Sequence, residues 1–248
     1  MTSYAKACKM ISLDVSPPET EKPSHMRQDA LERIAAAYDS PPWWYDVRGF
    51  FILTFAYRST LGRQLRLFGR NMGPRHLEVA VGTATLLDLV LRWRRWKRLP
   101  AVHVVAFDYA EPMLAGAIRR FRGVPEVELL QADVGALDMP NQSFDTANIA
   151  NAIHCFPDIS AALQEVFRVL KPGGKLAANV LLFPRGLQPL RWIADRINRW
   201  GMRKGILHTP YREDDIRGRV TGAGFEMVQE EVAGNTYNFV ARKPLSAT

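Results

Sequence analysis

The sequence predicts an open, doubly wound α/β protein: a seven-stranded, mostly parallel sheet with helices on both faces and one reversed strand at its C-terminal end. Three observations carry that expectation. Between residues 76 and 183, strand-like and helix-like stretches alternate, and the strand-like ones are nearly continuous apolar runs, the pattern of strands covered on both faces. Small or acidic residues stand where those strands end. The last two strand-like stretches are joined by Gly234-Asn235, a hairpin signal that predicts an antiparallel pair.

The elements follow in order. RQDALERIAAAYD has helical spacing, with Leu31, Ile34, Ala35 and Tyr38 on one face. SPPWWYDVRG ends that helix, because two prolines cannot continue it. FFILTFAYRSTLGRQLRLFGRN resumes the helical pattern and stops before Gly73-Pro74. The predicted strands are then HLEVAV, AVHVVAFD, VELLQAD, FDTANIAN, GKLAANVLLF, FEMVQEEVA and NTYNFVARK. The predicted helices between them are ATLLDLVLRWRRWKRL, AEPMLAGAIRRFRG, DISAALQEVFRVLK and YREDDIRGRVTGAG. This divides the chain into a flexible tail (1–26), an N-terminal helical cover (27–73) and a main domain (74–248). Residues 183–211 are longer than a simple connection and read as a cap insertion, with Leu190, Ile193, Ile197 and Trp200 on one side of its helical centre.

With 248 residues, 47% of them hydrophobic, the chain can bury a large single core. Its net charge of +8 suits an anionic partner, or serves only solubility. Cys8 and Cys155 are too few for a disulfide framework and lack metal-site spacing. A reducing cytoplasm and no metal are therefore expected. The polar, proline-bearing start has no apolar block of a secretion signal, and the longest apolar run, FFILTFAY, is too short to span a bilayer. RWRRWKR, residues 92–98, interleaves five cations with two tryptophans. That pattern suits an anionic membrane surface or a nucleic acid. The favoured reading is plainer: cations complement the dipole at a helix C-terminus while the tryptophans pack.

In an open α/β sheet, ligands bind beyond the carboxyl ends of the strands, at the point where the winding reverses. The first strand ends in Glu78 and runs through LEVAVGTATLL into a helix; the second ends in Asp108-Tyr109, the third in Asp133-Val134, and the fourth in Asn151-Ala152-Ile153-His154. Acidic groups at three strand ends point to a ligand rich in hydroxyl and amino donors. The glycine pattern of a pyrophosphate loop is absent, and no Gly-Lys-Ser/Thr follows the first strand, so neither a dinucleotide nor a nucleoside triphosphate is indicated. Asp108 lies 26 residues after Gly82, close to where an acid grips ribose hydroxyls in nucleotide-binding sheets.

Four segments, LEVAVGTATLL, VVAFDYAEPML, QADVGALDMPNQSFD and NAIHCFPDISAALQEVFRVLKPGGKL, together resemble the class I S-adenosylmethionine-dependent methyltransferases, most closely the ubiquinone and menaquinone C-methyltransferase group. The resemblance implies a Rossmann-like fold, S-adenosylmethionine as cofactor and S-adenosylhomocysteine as product. It also implies roles. Glu78 would organise the loop and approach the methionine moiety, with the backbone of Ala80, Gly82 and Thr83 against its amino-acid part. Asp108 would accept the ribose hydroxyls, and Tyr109 and Met113 would pack on the adenine. Asp133 would accept from the exocyclic amine, Val134 N–H would serve a ring nitrogen, and Asn151 would meet the ammonium group. KPGG, residues 171–174, would be a turn into strand five. The loop departs from the family in carrying Ala80 and Ala84 where glycine is usual, which predicts a slightly displaced loop.

The acceptor side is read from aromatic residues and one histidine. Tyr38, on the cofactor side, and Trp43, Trp44 and Tyr45 precede the sheet and suit a lid over an aromatic or isoprenoid acceptor, or bury the N-terminal helices. Trp192 in the cap insertion is a further candidate acceptor contact. His154 either takes a proton from the acceptor or shapes its pocket. The expected function is methyl transfer to oxygen or carbon of a small lipophilic molecule, the alternative being a non-catalytic cofactor- or lipid-binding protein of the same fold. Weak attachment to an anionic membrane surface and a homodimer are the expected assemblies, with no nucleic-acid partner.

Overall fold

The computed structural model describes residues 60–184 and 211–245, with Trp192, Asp195, Arg196, Arg199 and Arg203 between them. The tail, the cover as far as residue 59 with Tyr38, Trp43, Trp44 and Tyr45, and most of the cap insertion lie outside the described residues. The described elements, in order, are α1 (Leu61–Arg70), β1 (Arg75–Val79), α2 (Thr85–Trp96), β2 (His103–Asp108), α3 (Glu111–Arg120) and β3 (Val127–Gln131). They continue with β4 (Phe144–Ile149), a single 3₁₀ turn (Ile153–Cys155), α4 (Ile159–Val169), β5 (Leu170–Leu181), α5 (Glu213–Gly222), β6 (Glu226–Ala233) and β7 (Thr236–Arg242).

Local chemistry sets several boundaries. Asp158 precedes α4 and its side chain accepts from the Ala161 N–H at 3.0 Å, supplying one of the acceptors that a helix start needs. Pro112 sits in the first turn of α3, where its missing N–H costs nothing. At the start of β5, Phe144 pairs with Leu170 but Thr146 pairs with Lys175, so the KPGG residues bulge out opposite Asp145. Gly173 takes a φ of +78° there, and Lys171 Nζ meets Asp145 Oδ1 at 2.6 Å. The tetrad is thus a bulge at the beginning of β5, where a turn before the strand was expected.

The seven strands form one sheet in the order β3-β2-β1-β4-β5-β7-β6. The first five run parallel, and β7 is antiparallel to both β5 and β6. The reversed strand is last in sequence but lies inside the sheet, with β6 as the edge. That edge carries Glu226, Glu230 and Glu231 exposed, charges that discourage pairing with another chain. Side chains alternate between two cores. Val105 and Phe107 point to one with α4 and α5, while Val104 and Ala106 point to the other with α1, α2 and α3. The sheet is therefore covered on both faces.

Winding reverses between β1 and β4, whose helices leave in opposite directions from the sheet centre. Register puts Val79 level with Phe107 of β2 and Ile149 of β4. The residues that follow these three leave the sheet at one height.

α1 and α2 pack closely because Gly69 has no side chain: a Cβ there would come within 2.6 Å of two ring carbons of Trp93. The buried Arg94 guanidinium donates to the carbonyls of Gly69 and, at 2.8 Å, Pro100. Burial pulls its pKa down from the usual arginine value. The basic stretch thus divides. Trp93 and Arg94 face inward, whereas Trp96 is 71% exposed with Lys97 Nζ 4.0 Å from its ring centre. Arg94→Met strands the buried Gly69 carbonyl and should cost about 1–3 kcal/mol, visible as a lower urea midpoint at constant m-value.

Candidate active site

The turn after β1 is built from residues 80–84, and its backbone is left-handed at every second position: Ala80 (φ 53°), Gly82 (58°) and Ala84 (60°). Glycine enters that region freely, but an alanine Cβ crowds the neighbouring backbone at a cost of about 1–2 kcal/mol. A side chain at Gly82 would meet nothing within 4 Å. The middle of the turn therefore opens onto free space.

Asp108, at the end of β2, ties down this turn. Its Oδ2 accepts from the Gly82 N–H at 2.8 Å and its Oδ1 from the Ala110 N–H at 2.9 Å. Burial pushes its carboxyl above the usual carboxylate range, while the N–H groups of Ala110, Gly82 and Tyr109 pull it back. Each oxygen keeps a further lone pair. The exit of the turn is held from α3, where Arg120 Nε donates to Thr83 O at 3.0 Å and Nη2 to Thr85 Oγ1 at 2.7 Å.

Glu78 lies below the turn, buried on the face with α1. Its Oε2 accepts from His76 Nε2 at 3.1 Å and from Asn148 Nδ2 at 3.2 Å. His76 Nδ1 is 2.8 Å from Thr146 Oγ1, which also accepts from the Gly73 N–H at 2.8 Å. Every bond is satisfied when the Thr146 hydroxyl donates to Nδ1 and the imidazole donates through Nε2–H to Glu78. Asn148 Oδ1 is buried beside this group without a hydrogen-bond partner.

Asn151, left-handed at φ 55°, follows β4. Its N–H donates to Asn179 Oδ1 at 2.6 Å, Asn179 Nδ2 donates to Asn151 Oδ1 at 2.7 Å, and Asn151 Nδ2 donates to Gln64 Oε1 of α1 at 3.2 Å. Asp133 lies two residues beyond the end of β3, and its Oδ1 accepts from the Gly135 N–H at 2.9 Å. Val134 and Met113 are buried, and Tyr109 is half-buried with its carbonyl accepting from Gln131 Nε2 at 2.9 Å. His154 sits in the 3₁₀ turn, 7% exposed. Trp192 is 51% exposed, with the Arg196 guanidinium 5.5 Å above its ring. The structure thus gathers Glu78, Ala80, Gly82, Thr83 and Asp108 around one turn.

Sequence reasoning missed Gln64, His76, Arg120 and Asn179. A signal existed for two of them. His76 and Asn179 are polar residues inside otherwise apolar buried strands, a placement that requires a partner. Nothing in the local sequence distinguishes Gln64 or Arg120 from ordinary polar residues of exposed helix faces.

Comparison with known proteins gives the relationship. A family model described as a methyltransferase domain matches residues 77–178. Methyltransferase ctvB of Aspergillus terreus is 30% identical over 215 residues, covering 82% of this chain and 90% of the fungal protein. The chain belongs to the class I S-adenosylmethionine-dependent methyltransferases. It is also similar to the ubiquinone/menaquinone biosynthesis C-methyltransferase of Hahella chejuensis, 32% identical over 178 residues, 70% of this chain and 65% of that relative. The demethylmenaquinone methyltransferase of Thermus thermophilus is 45% identical over 112 residues, 44% of this chain, which spans about half (47%) of that relative's length. The fold agrees with a SAM-dependent methyltransferase from Aquifex aeolicus, with a TM-score of 0.60 at 20% identity over 82% of this chain and 99% of that one.

For a methyltransferase of this family, the alanines are the notable feature of the turn. The half-buried Ala80 carries left-handed strain and packs against the core through one methyl group. Ala80→Gly should therefore stabilise the protein by about 0.5–1 kcal/mol, raising the melting temperature by about 1–4 °C in a calorimetric scan.

Proposed function

We propose that the protein transfers a methyl group from S-adenosylmethionine to an oxygen or carbon nucleophile of a small lipophilic molecule, such as a quinone, phenolic, isoprenoid or polyketide-like compound. The observation that carries this reading is the Asp108 carboxylate bonded to the Gly82 N–H, beside a turn that opens onto free space. That arrangement puts an acid suited to ribose hydroxyls next to a half-buried stretch of backbone, beside the reversal of the sheet. The similarity to demethylmenaquinone and ubiquinone/menaquinone methyltransferases supports a quinone-like acceptor.

The residues present fit the cofactor. Asp108 would accept the two ribose hydroxyls on its remaining lone pairs, and Glu78, oriented by His76 and Asn148, would lie towards the positively charged methionine end. The backbone of Ala80, Gly82 and Thr83 and the region of Asn151 would hold the amino-acid part. Asp133 and the Val134 N–H would meet the adenine edge, with Tyr109, Met113 and Tyr38 packing around it. Bound S-adenosylmethionine supplies an electrophilic methyl group on a sulfonium. The protein's task is then to align that methyl group with the acceptor and exclude water, since positive charge disperses in the displacement and needs no strong counter-charge. His154 would take the acceptor's proton or shape its pocket, and Trp43, Trp44, Tyr45 and Trp192 would cover the acceptor. No metal takes part in this reading, and among the described residues no cluster of three metal-binding side chains occurs.

A second reading, a cofactor- or lipid-binding protein without turnover, is favoured by the left-handed Ala80 and Ala84 in a turn where glycine would be unstrained. A cytoplasmic protein without a nucleic-acid partner, able to form a homodimer, fits the proposed role. The exposed Trp96 and its basic neighbours support weak attachment to an anionic membrane surface. Among the described residues no helix is long and apolar enough to cross a membrane.

Isothermal titration with S-adenosylhomocysteine decides the cofactor half of the proposal: binding should be measurable in the native chain and lost in Asp108→Ala. Incubation with methyl-labelled cofactor and a panel of quinones, phenols and polyketides decides the rest, since label in any acceptor removes the non-catalytic reading. Affinity for S-adenosylhomocysteine should also depend on pH. The ribose hydroxyls donate to the ionised Asp108, so binding is full above its raised pKa and weakens as pH falls through it. A profile that stays flat from pH 8 down to about pH 4, the ordinary aspartate value, would remove Asp108 from the ribose site.

A further inference from the structure

The turn after β1 keeps alanine at two of its three left-handed positions, and something must hold it there against the strain. Part of the restraint is internal. Val81 N–H donates to Phe107 O at 2.9 Å, Gly82 N–H to Asp108 Oδ2 at 2.8 Å, and Ala84 N–H to Val81 O at 3.0 Å. These bonds fix the entry and the middle of the turn. Its exit, Thr83 to Thr85, is gripped from outside by one residue of α3.

Arg120 makes that grip with two donors of one planar group. Nε meets Thr83 O at 3.0 Å and Nη2 meets Thr85 Oγ1 at 2.7 Å, while the two threonine hydroxyls lie 3.1 Å apart. Asp88 Oδ2, 4.0 Å from Nη1, adds an opposite charge in the first turn of α2. The fork of a guanidinium spans two acceptors at a fixed separation, which the point charge of a lysine cannot do. The acceptors bracket Ala84, the strained residue at the start of α2.

We propose that Arg120 is a positioning residue that clamps the alanine-bearing turn in its cofactor-binding shape. The proposal rests on the reading of this turn as the S-adenosylmethionine site. Arg120 acts through Thr83 O and Thr85 Oγ1. Without it the exit of the turn relaxes towards unstrained dihedrals, and affinity falls with the fraction of molecules that still hold the competent shape. With glycine at both strained positions the turn has less to relax from, so the clamp matters less.

The test uses the full chain, S-adenosylhomocysteine as the titrant, and hydrogen exchange without any ligand. Arg120→Met should weaken binding about tenfold, the loss expected for a charge-assisted bond to a backbone carbonyl. Arg120→Lys, lacking the fork, should weaken it nearly as much. In an Ala80→Gly/Ala84→Gly background the same Arg120→Met change should cost no more than about twofold. Without ligand, the Gly82 and Ala84 amides should exchange faster in Arg120→Met while those of β4 and α4 stay as in the native chain. Unchanged affinity and exchange, an equal loss in both backgrounds, or faster exchange throughout the sheet would each overturn the proposal. If the native chain takes up no S-adenosylhomocysteine, the functional reading falls, and the local exchange of Gly82 and Ala84 still decides the clamp.

Discussion

The bond between the Gly82 N–H and the Asp108 carboxylate joins the two halves of the site, and much of the structure is arranged so that it can form. It needs β1 and β2 side by side and in a register that puts Val79 level with Phe107. It needs the turn after β1 to bring Gly82 back over the end of β2, which the left-handed conformations at Ala80 and Gly82 accomplish. A charged acceptor makes this bond worth about 1.5–3 kcal/mol. Without it the partly buried Asp108 would lose one of the donors that offset its desolvation.

A second constraint lies one layer deeper, on the face covered by α1. His76, Glu78, Thr146 and the Asn148 amide N–H bond to one another across β1 and β4, and Asn151, Asn179 and Gln64 do the same across β4, β5 and α1. Apolar side chains would fill this space without any need for matched partners. Polar ones accept only one arrangement of strands and helix, because a slip leaves buried donors or acceptors unpaired. α1 is therefore part of the α/β body: Phe68 enters the core and Gln64 reaches the strand-four turn. The two rows also fix Glu78 and Asn151 on either side of the reversal in winding.

The two edges of the sheet do different work. The carboxyl edge holds the turn, the acids and His154. At the opposite edge, where α2 ends, the basic stretch is partly absorbed into structure through Trp93 and Arg94, leaving Trp96 outside. Parallel strands with returning helices impose this separation, since every helix that begins at the carboxyl edge ends at the other. A surface contact at Trp96 would therefore leave the site facing away from it.

The sequence by itself determined the fold class, the order of the strands along the chain and the antiparallel character of the last pair. Apolar runs and a Gly-Asn turn are local patterns that only one kind of sheet accommodates. The acids at the strand ends were legible for the same reason: Asp108 and Glu78 stand where an apolar strand stops or should continue. Several things were decided only by tertiary structure. β7 inserts between β5 and β6, KPGG bulges within β5, and Asp133 falls beyond the end of β3. Arg120, Gln64 and Asn179 gain their roles from residues 28 or more positions away, and His76 is held by Thr146, 70 positions away. Partners so distant in sequence meet only when the sheet register is set, and no local pattern of residue types encodes that meeting.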